Sequence, residues 1–239
     1  MKHTLLSILV LPILLTGCGT TAKFIYPDKM SSLVQVDSAP VHNLKVAVTP
    51  FDDDRNADNT AGTLFLYLIP LMPYGWVEYD RPDAARMFAS IEEYSFTPSE
   101  DLAKAAALSL RRSNLFKDAF FTFGGEKEKA DLVLYGTIKS TKYLGRIITY
   151  GLSIEGPLLW FFGLPCGTSD NTLALQMQLR KDNKVIWEYT YNHTLGIVQG
   201  FYYRFGYDCL GYSKLMQDCM NNAILDLNKR LCENPGLLK

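Results

Sequence analysis

The side chains with the most chemistry to offer are five cysteines, Cys18, Cys166, Cys209, Cys219 and Cys232, and three histidines, His3, His42 and His193. Cys18 stands apart, because it follows the small residues that close an apolar run near the amino terminus. The other four can pair only if the protein is exported to an oxidising compartment. Cys219 and Cys232 fall on one expected helix, ~20 Å apart at a 1.5 Å rise per residue, beyond the ~7 Å Cα limit of a disulfide. Cys209 and Cys232 flank that helix and lie farther apart still. Cys166 and Cys209 reach the same sheet edge in the expected topology and are the favoured pair, with Cys209–Cys219 the alternative. A zinc site finds no CxxC, and only His42 and His193 lie outside the amino-terminal segment. Asp52, Asp54, Asn56 and Asp58 alternate like a calcium loop. Ala57 and Thr63 stand where such a loop needs Gly and Glu. GxSxG, Walker A and GxGxxG motifs are absent. The reading is a chain with no cofactor, no metal and no catalytic residue, and hence no enzyme.

Met1-Lys2-His3 is a short basic start, residues 5–15 are apolar, and Leu15-Thr16-Gly17-Cys18 follows. The order is that of a secretory signal peptide, too short for a membrane helix. These four residues resemble the lipobox of bacterial lipoproteins. The resemblance implies cleavage before Cys18, a diacylglyceryl group on its sulfur and an acylated amine. Each buried CH₂ contributes about 0.8 kcal/mol, and stable anchoring takes at least two chains, a condition this lipidation meets. Gly19 in place of Asp implies, by the family's sorting habit, the outer membrane. The expected division is a signal peptide over 1–17, the lipidated Cys18 with a flexible tether to 43, and one folded domain over 44–239.

The elements that must position any site come from the remaining 196 residues or so. With 48% hydrophobic and 21% charged residues, the composition is that of a packed globular protein. A formal charge of −1 gives no basic footprint for nucleic acid. No apolar run reaches the roughly 18 residues that span a bilayer. Residues 44–51 read as a strand. Thr97-Pro98-Ser99-Glu100 opens a helix as N-cap, first-turn proline and capping box, and Asn114 ends it. Strands follow over 115–123 and 130–138. Residues 173–180 alternate as a half-buried strand, Asp182-Asn183 makes a hairpin turn, and 185–194 returns. The last helix, about 212–231, carries Met216, Met220, Ala223, Leu227 and Leu231 on one stripe. The order β-α-β-β-β-β-α predicts a single α+β domain: a mostly antiparallel sheet of about five strands with two helices on one face. Residues 46–51, 109–116 and 130–136 resemble the strand and Ala-rich helix pattern of the TolB amino-terminal domain and the curli-secretion lipoprotein. That likeness implies binding or assembly work.

Three segments break the rule that connections are polar. Residues 62–76 carry Leu66, Ile69, Leu71 and Trp76; residues 156–165 carry Leu158, Leu159, Trp160, Phe161 and Phe162; residues 201–207 include Tyr202 and Tyr203. They either contact a membrane or partner or fold back to cap the sheet. The second and third are expected at one edge. Counting strand reversals puts 62–76 at the opposite one. The expected function is a non-enzymatic envelope lipoprotein at the outer membrane, an accessory or binding component of assembly or transport. Its partners would be the bilayer, through acylated Cys18, and an envelope protein. A periplasmic hydrolase would need a polar cleft instead, and a structural surface lipoprotein would need no ligand.

Overall fold

Asp182 and Asn183 both take positive φ, 46° and 64°. This primed turn matches the right-handed twist of the strands it joins. It closes the longest hairpin of the protein, and the rest of the sheet is laid against that ribbon. The structure, a computed structural model, describes residues 21–36, 42–57, 60–84 and 93–238. In chain order its elements are β1 (Thr21–Lys23), β2 (His42–Val48), β3 (Asp52–Asp53), β4 (Thr60–Thr63), β5 (Tyr74–Tyr79), β6 (Glu93–Ser95) and α1 (Pro98–Arg112). They continue with β7 (Phe116–Phe121), β8 (Leu132–Ser140), β9 (Tyr143–Ile148), β10 (Pro165–Lys181), β11 (Lys184–Gly200) and α2 (Gly211–Glu233). Cys18 and the signal segment lie outside the described residues.

The expected five-stranded, mostly antiparallel sheet is overturned. Nine strands form one mixed sheet, in the order β4-β5-β9-β10-β8-β2-β7, with β11 along the other edge of β10 and β3 beside β8. β2 runs parallel to both β7 and β8. β8 and β9 both lie antiparallel to β10 and behave as one long strand broken at Thr141-Lys142. The sheet therefore has two halves in line. The lower is β7-β2-β8 with the turn end of the hairpin; the upper is β4-β5-β9 with its open end. β1 and β6 form a separate parallel pair.

The lower half follows the apolar pattern. Leu173, Leu175, Met177 and Leu179 point to one face of β10 and are fully buried. α1 covers them with Leu110, and α2 with Met220, Ala223, Ile224 and Leu227. Alanines at 103, 105, 106 and 107 let α1 lie close to the sheet. Its first turn differs from the expected capping box. The Thr97 amide donates to the Asp101 carboxylate at 2.7 Å, while Glu100 pairs with Lys104. Asn114, at φ 60°, ends the helix in the left-handed region.

Residues 21–36, expected as part of a flexible tether, are instead a strap across the two helices. Phe24 stacks on Phe96 at 5.0 Å, and Tyr26 hydrogen-bonds Ser109. The Val34 amide donates to Asn221 at 3.0 Å and the Val36 amide to the Ser113 carbonyl at 2.7 Å. The apolar residues Ala22, Phe24, Tyr26, Val34 and Val36 that read as aperiodic in the sequence each meet the core separately.

The halves of the sheet are pinned by one buried cation. Arg55 directs Nε and Nη2 to Asp53 (2.8 Å each), Nη1 and Nη2 to Asp83 (2.5 and 3.1 Å), and Nη1 to Thr141 Oγ1 at 2.7 Å. This accounts for the Asp-rich stretch that resembles a calcium loop: Asp53 serves Arg55, and Asp54 pairs with Lys139. The hydrogen bonds from Arg55 hold the Asp53 carboxyl down at about 2, from an ordinary 3.8. A lowered carboxylate contributes stability that is complete above its unfolded value and fades as pH falls through the folded one. We expect the midpoint of chemical denaturation to drop as pH falls from 4 toward 2. Asp53→Asn should be less stable at pH 7 and should flatten that acid branch; an unchanged branch would remove Asp53 from the account.

Candidate functional site

Three chain segments leave the upper half of the sheet at the same end. The register fixes this: Tyr74 lies opposite Ile148, Gly167 opposite Ile147, and Pro165 opposite Gly200. The β4–β5 loop, the β9–β10 loop and the segment after β11 thus share one tip. The expected placement of 62–76 at the opposite edge is overturned because β8 is parallel to β2. The chain leaving β2 heads toward the same end as the chain leaving β8.

The tip is braced by its own backbone. The Leu71 amide donates to the Gly151 carbonyl at 2.9 Å, and the Thr149 and Tyr150 amides both donate to Pro73 O, at 2.9 and 3.0 Å. Thr149 Oγ1 reaches Tyr67 O at 3.2 Å, and Ser153 donates to Leu68 O. Trp160 Nε1 donates to Ile148 O at 2.8 Å, Tyr150 OH to Pro165 O at 2.7 Å and Tyr202 OH to Phe161 O at 3.0 Å. Phe161 stacks on Phe201 at 5.0 Å, and Phe201 on Phe205 at 5.7 Å. Two glycines permit the close packing. A Cβ on Gly75 would fall 1.8 Å from Leu64 O, and one on Gly156 would fall 2.4 Å from Thr149 O. Gly75→Ala should therefore force the 64–68 turn away from β5 and destabilise the protein by about 1–3 kcal/mol, as overpacking does. A thermal melt matching wild type would contradict that contact.

With these backbone groups bonded to one another, many apolar side chains of the three segments are left outside. Leu71 is 89% exposed, Phe162 81% and Ile154 76%. Ile69, Leu158, Phe161, Tyr202 and Tyr203 are also exposed, while Leu66, Trp76, Leu159 and Trp160 are half-buried and support them. All eleven expected contact residues lie in these three segments. Leu152 and Ile154 were missed, because Glu155 separates them from the uncharged run 156–165. Across 62–76, 147–165 and 197–207 the ionisable carboxylate and cation groups are Glu155 and Arg204. Large contiguous apolar surfaces on a monomer usually mark contact sites.

Beneath the tip the inward side of the upper sheet is polar. Asp208, fully buried, accepts from Tyr143 OH at 3.1 Å and Gln199 Nε2 at 2.7 Å, while Asn171 Nδ2 donates to its main-chain carbonyl at 2.8 Å. Burial, then the adjacent Asp208 charge, raises the Tyr143 phenol well above its usual range, so it remains a donor. This cluster fastens the 201–210 segment under β9, β10 and β11.

The expected Cys166–Cys209 disulfide is not formed, and the four cysteines of the described residues are free thiols. Cys209 lies within the buried tyrosines Tyr94, Tyr143 and Tyr212, while Cys166 neighbours Tyr150 at the tip. Burial pushes the Cys166, Cys209 and Cys219 thiols up, the opposite of an activated nucleophile. Among the described residues no three His, Cys, Asp or Glu side chains gather to hold a metal, and no helix is long and apolar enough to cross a membrane.

No family model and no curated protein matches the chain. Among solved structures, protein XCC0632 of Xanthomonas campestris, described by the family model DUF330, is similar with a TM-score of 0.43 at 11% identity, over 87% of this chain and 92% of that one. Hypothetical protein CT253 of Chlamydia trachomatis gives 0.34 at 10% identity, over 80% and 100%. A neuraminyllactose-binding hemagglutinin homologue of Helicobacter pylori gives 0.35 at 14% identity, over 89% and 92%. None of these three is one of the TolB or curli-secretion modules, and scores below 0.5 are too low to transfer a function.

Proposed function

We propose that this chain is a lipid-anchored protein of the bacterial envelope, held at the periplasmic face of the outer membrane through acylated Cys18, whose domain binds and does not catalyse. It acts as an accessory in envelope assembly or transport, and the apolar tip is its contact surface. One observation carries this reading: three segments distant in sequence bring their exposed Leu, Ile, Phe and Tyr side chains to a single end, on a backbone cross-braced by its own hydrogen bonds. Capping the sheet needs the half-buried Trp160 and Leu66; it gives no reason for Leu71 and Phe162 to face outward. The buried, unactivated thiols support a binding role over a nucleophilic one.

Two tests follow. Cys18→Ala should leave an uncleaved precursor that takes up no fatty-acid label; normal processing and labelling would end the lipoprotein reading. In a chain beginning at residue 18 with Cys18→Ser, replacing Leu158, Phe161 and Phe162 by serine should weaken binding to envelope membranes while the domain still melts cooperatively. Loss of the cooperative melt would assign these residues to capping instead.

A further inference from the structure

We infer that the occupant of the tip is a phospholipid bilayer, the same bilayer that holds the Cys18 acyl chains. This rests on the reading of the tip as a contact surface and names what it contacts.

The first line of argument is direction. From Phe24, beside Phe96, the strap passes Ser109 and Gln217 to Asn221 and Ser113. α1 and α2 both run from the middle of the sheet toward its lower end, so the strap runs away from the tip. Before Phe24 the chain runs beside β6, which leads into α1 at the middle of the sheet. Phe96 stacks on Tyr212, whose hydroxyl donates to the carbonyls of Thr141 and Lys142 at the joint between the halves. From that joint to Ile148, where β9 gives way to the tip, is six residues of strand, ~20 Å. From Phe24 back to Cys18 is also six residues, a reach of about 20 Å when extended. The chain between Phe24 and Cys18 is therefore long enough to carry an acyl group to the level where the tip begins.

The second line is composition. A protein partner is usually recognised by an apolar centre within a polar, charged rim. The tip lacks that rim: its three segments carry only Glu155 and Arg204, both exposed. Its most exposed side chains are aliphatic or phenyl, Leu71, Ile154 and Phe162. The same segments carry Tyr74, Trp160, Tyr202, Tyr203 and Tyr207, the ring types favoured at headgroup depth. Two charges within the surface keep the seat interfacial, with Leu71 and Phe162 at acyl depth and Glu155 and Arg204 among headgroups.

The native tryptophans test it. Trp160 is in the tip, whereas Trp187 pairs with Leu179 near the hairpin turn, roughly 40 Å away along β10. Full-length acylated protein is reconstituted into phosphatidylethanolamine/phosphatidylglycerol vesicles with and without brominated acyl chains. Two variants are compared, Trp76→Phe with Trp187→Phe, and Trp76→Phe with Trp160→Phe. Trp160 emission should fall about twofold in brominated vesicles, as expected for a ring at the interface, and Trp187 emission should stay constant. Should either background lose its cooperative melt, Trp187→Phe alone, whose remaining Trp76 and Trp160 both lie in the tip segments, should be quenched by a larger fraction than wild type. Equal or absent quenching of Trp160, with the protein still bound through Cys18, overturns the bilayer assignment. If tip crosslinkers then capture an envelope protein, the contact-surface reading survives without it; if they capture nothing, both fall.

Discussion

Serine in place of Leu71, Ile154 and Phe162 together is expected to lower the partition of the protein onto phospholipid vesicles about 100-fold. The measurement uses a chain beginning at residue 18 with Cys18→Ser, so that acyl chains do not mask the domain's own affinity. Full burial of each side chain would contribute about 1.5–3 kcal/mol. An interfacial seat realises part of that, about 1 kcal/mol apiece, and about 3 kcal/mol in total is a factor near 100. The same three residues are among the most exposed in the protein, so unfolding free energy should move by no more than about 0.5 kcal/mol. That pairing of a large binding loss with an unchanged melt is specific to a contact surface. A destabilised variant would place these side chains in packing, and unaltered partition would exclude them from membrane contact.

Arg55→Ala is expected to have the largest effect on stability, a loss of about 3 kcal/mol at pH 7. The guanidinium is the shared partner of two carboxylates and a buried hydroxyl, and removing one member of a buried ion pair typically costs about 3–5 kcal/mol. The lower figure applies because Asp53 and Asp83 keep 33% and 17% of their side-chain exposure, so water recovers part of the lost interaction. Arg55→Lys should recover little, since an ammonium cannot reproduce the fork that meets Asp53 and Asp83 in parallel. Denaturant titrations of the two variants decide it. A lysine variant equal to wild type would show that charge alone, without geometry, holds this joint.

The joint matters because the upper sheet is weakly supported by apolar packing. Where β10 crosses the lower half its inward residues are Leu173, Leu175, Met177 and Leu179; in the upper half they are Gly167, Ser169 and Asn171. The helices cover the first set, and the Asp208 cluster covers the second. Arg55 and Asp208 therefore do for the tip-bearing half, by hydrogen bonds, what α1 and α2 do for the lower half by burial.

This difference explains what could be read in the sequence. α1, α2 and the Asp182-Asn183 turn follow apolar periodicity and turn chemistry and are recovered close to their bounds, while the strand read over 173–180 is the second half of β10. β9 and the first part of β10 have Gly145, Gly167, Ser169 and Asn171 at inward positions, so alternation of apolar and polar residues is absent although the strands are buried. β3, β4 and β5 are short or Gly-containing and were hidden in what reads as a connection. The parallel course of β8 beside β2 depends on the 122–131 crossover, which carries only the 3-10 turn Lys127–Lys129 and no α-helix to signal it. That topology decides where the tip segments meet. The eleven residues expected at a contact surface stand out by apolar composition in loops, and 156–165 and 201–207 were expected at one edge; that 62–76 joins them there was not legible.

The claim that the tip rests in the bilayer is met most directly in living cells. A photoreactive benzoylphenylalanine in place of Phe162 should form adducts with phospholipid on irradiation, and one in place of Glu188, on the lower sheet, should form none. Phospholipid adducts at 162 no more abundant than at 188, in cells where Cys18 is acylated, would contradict it.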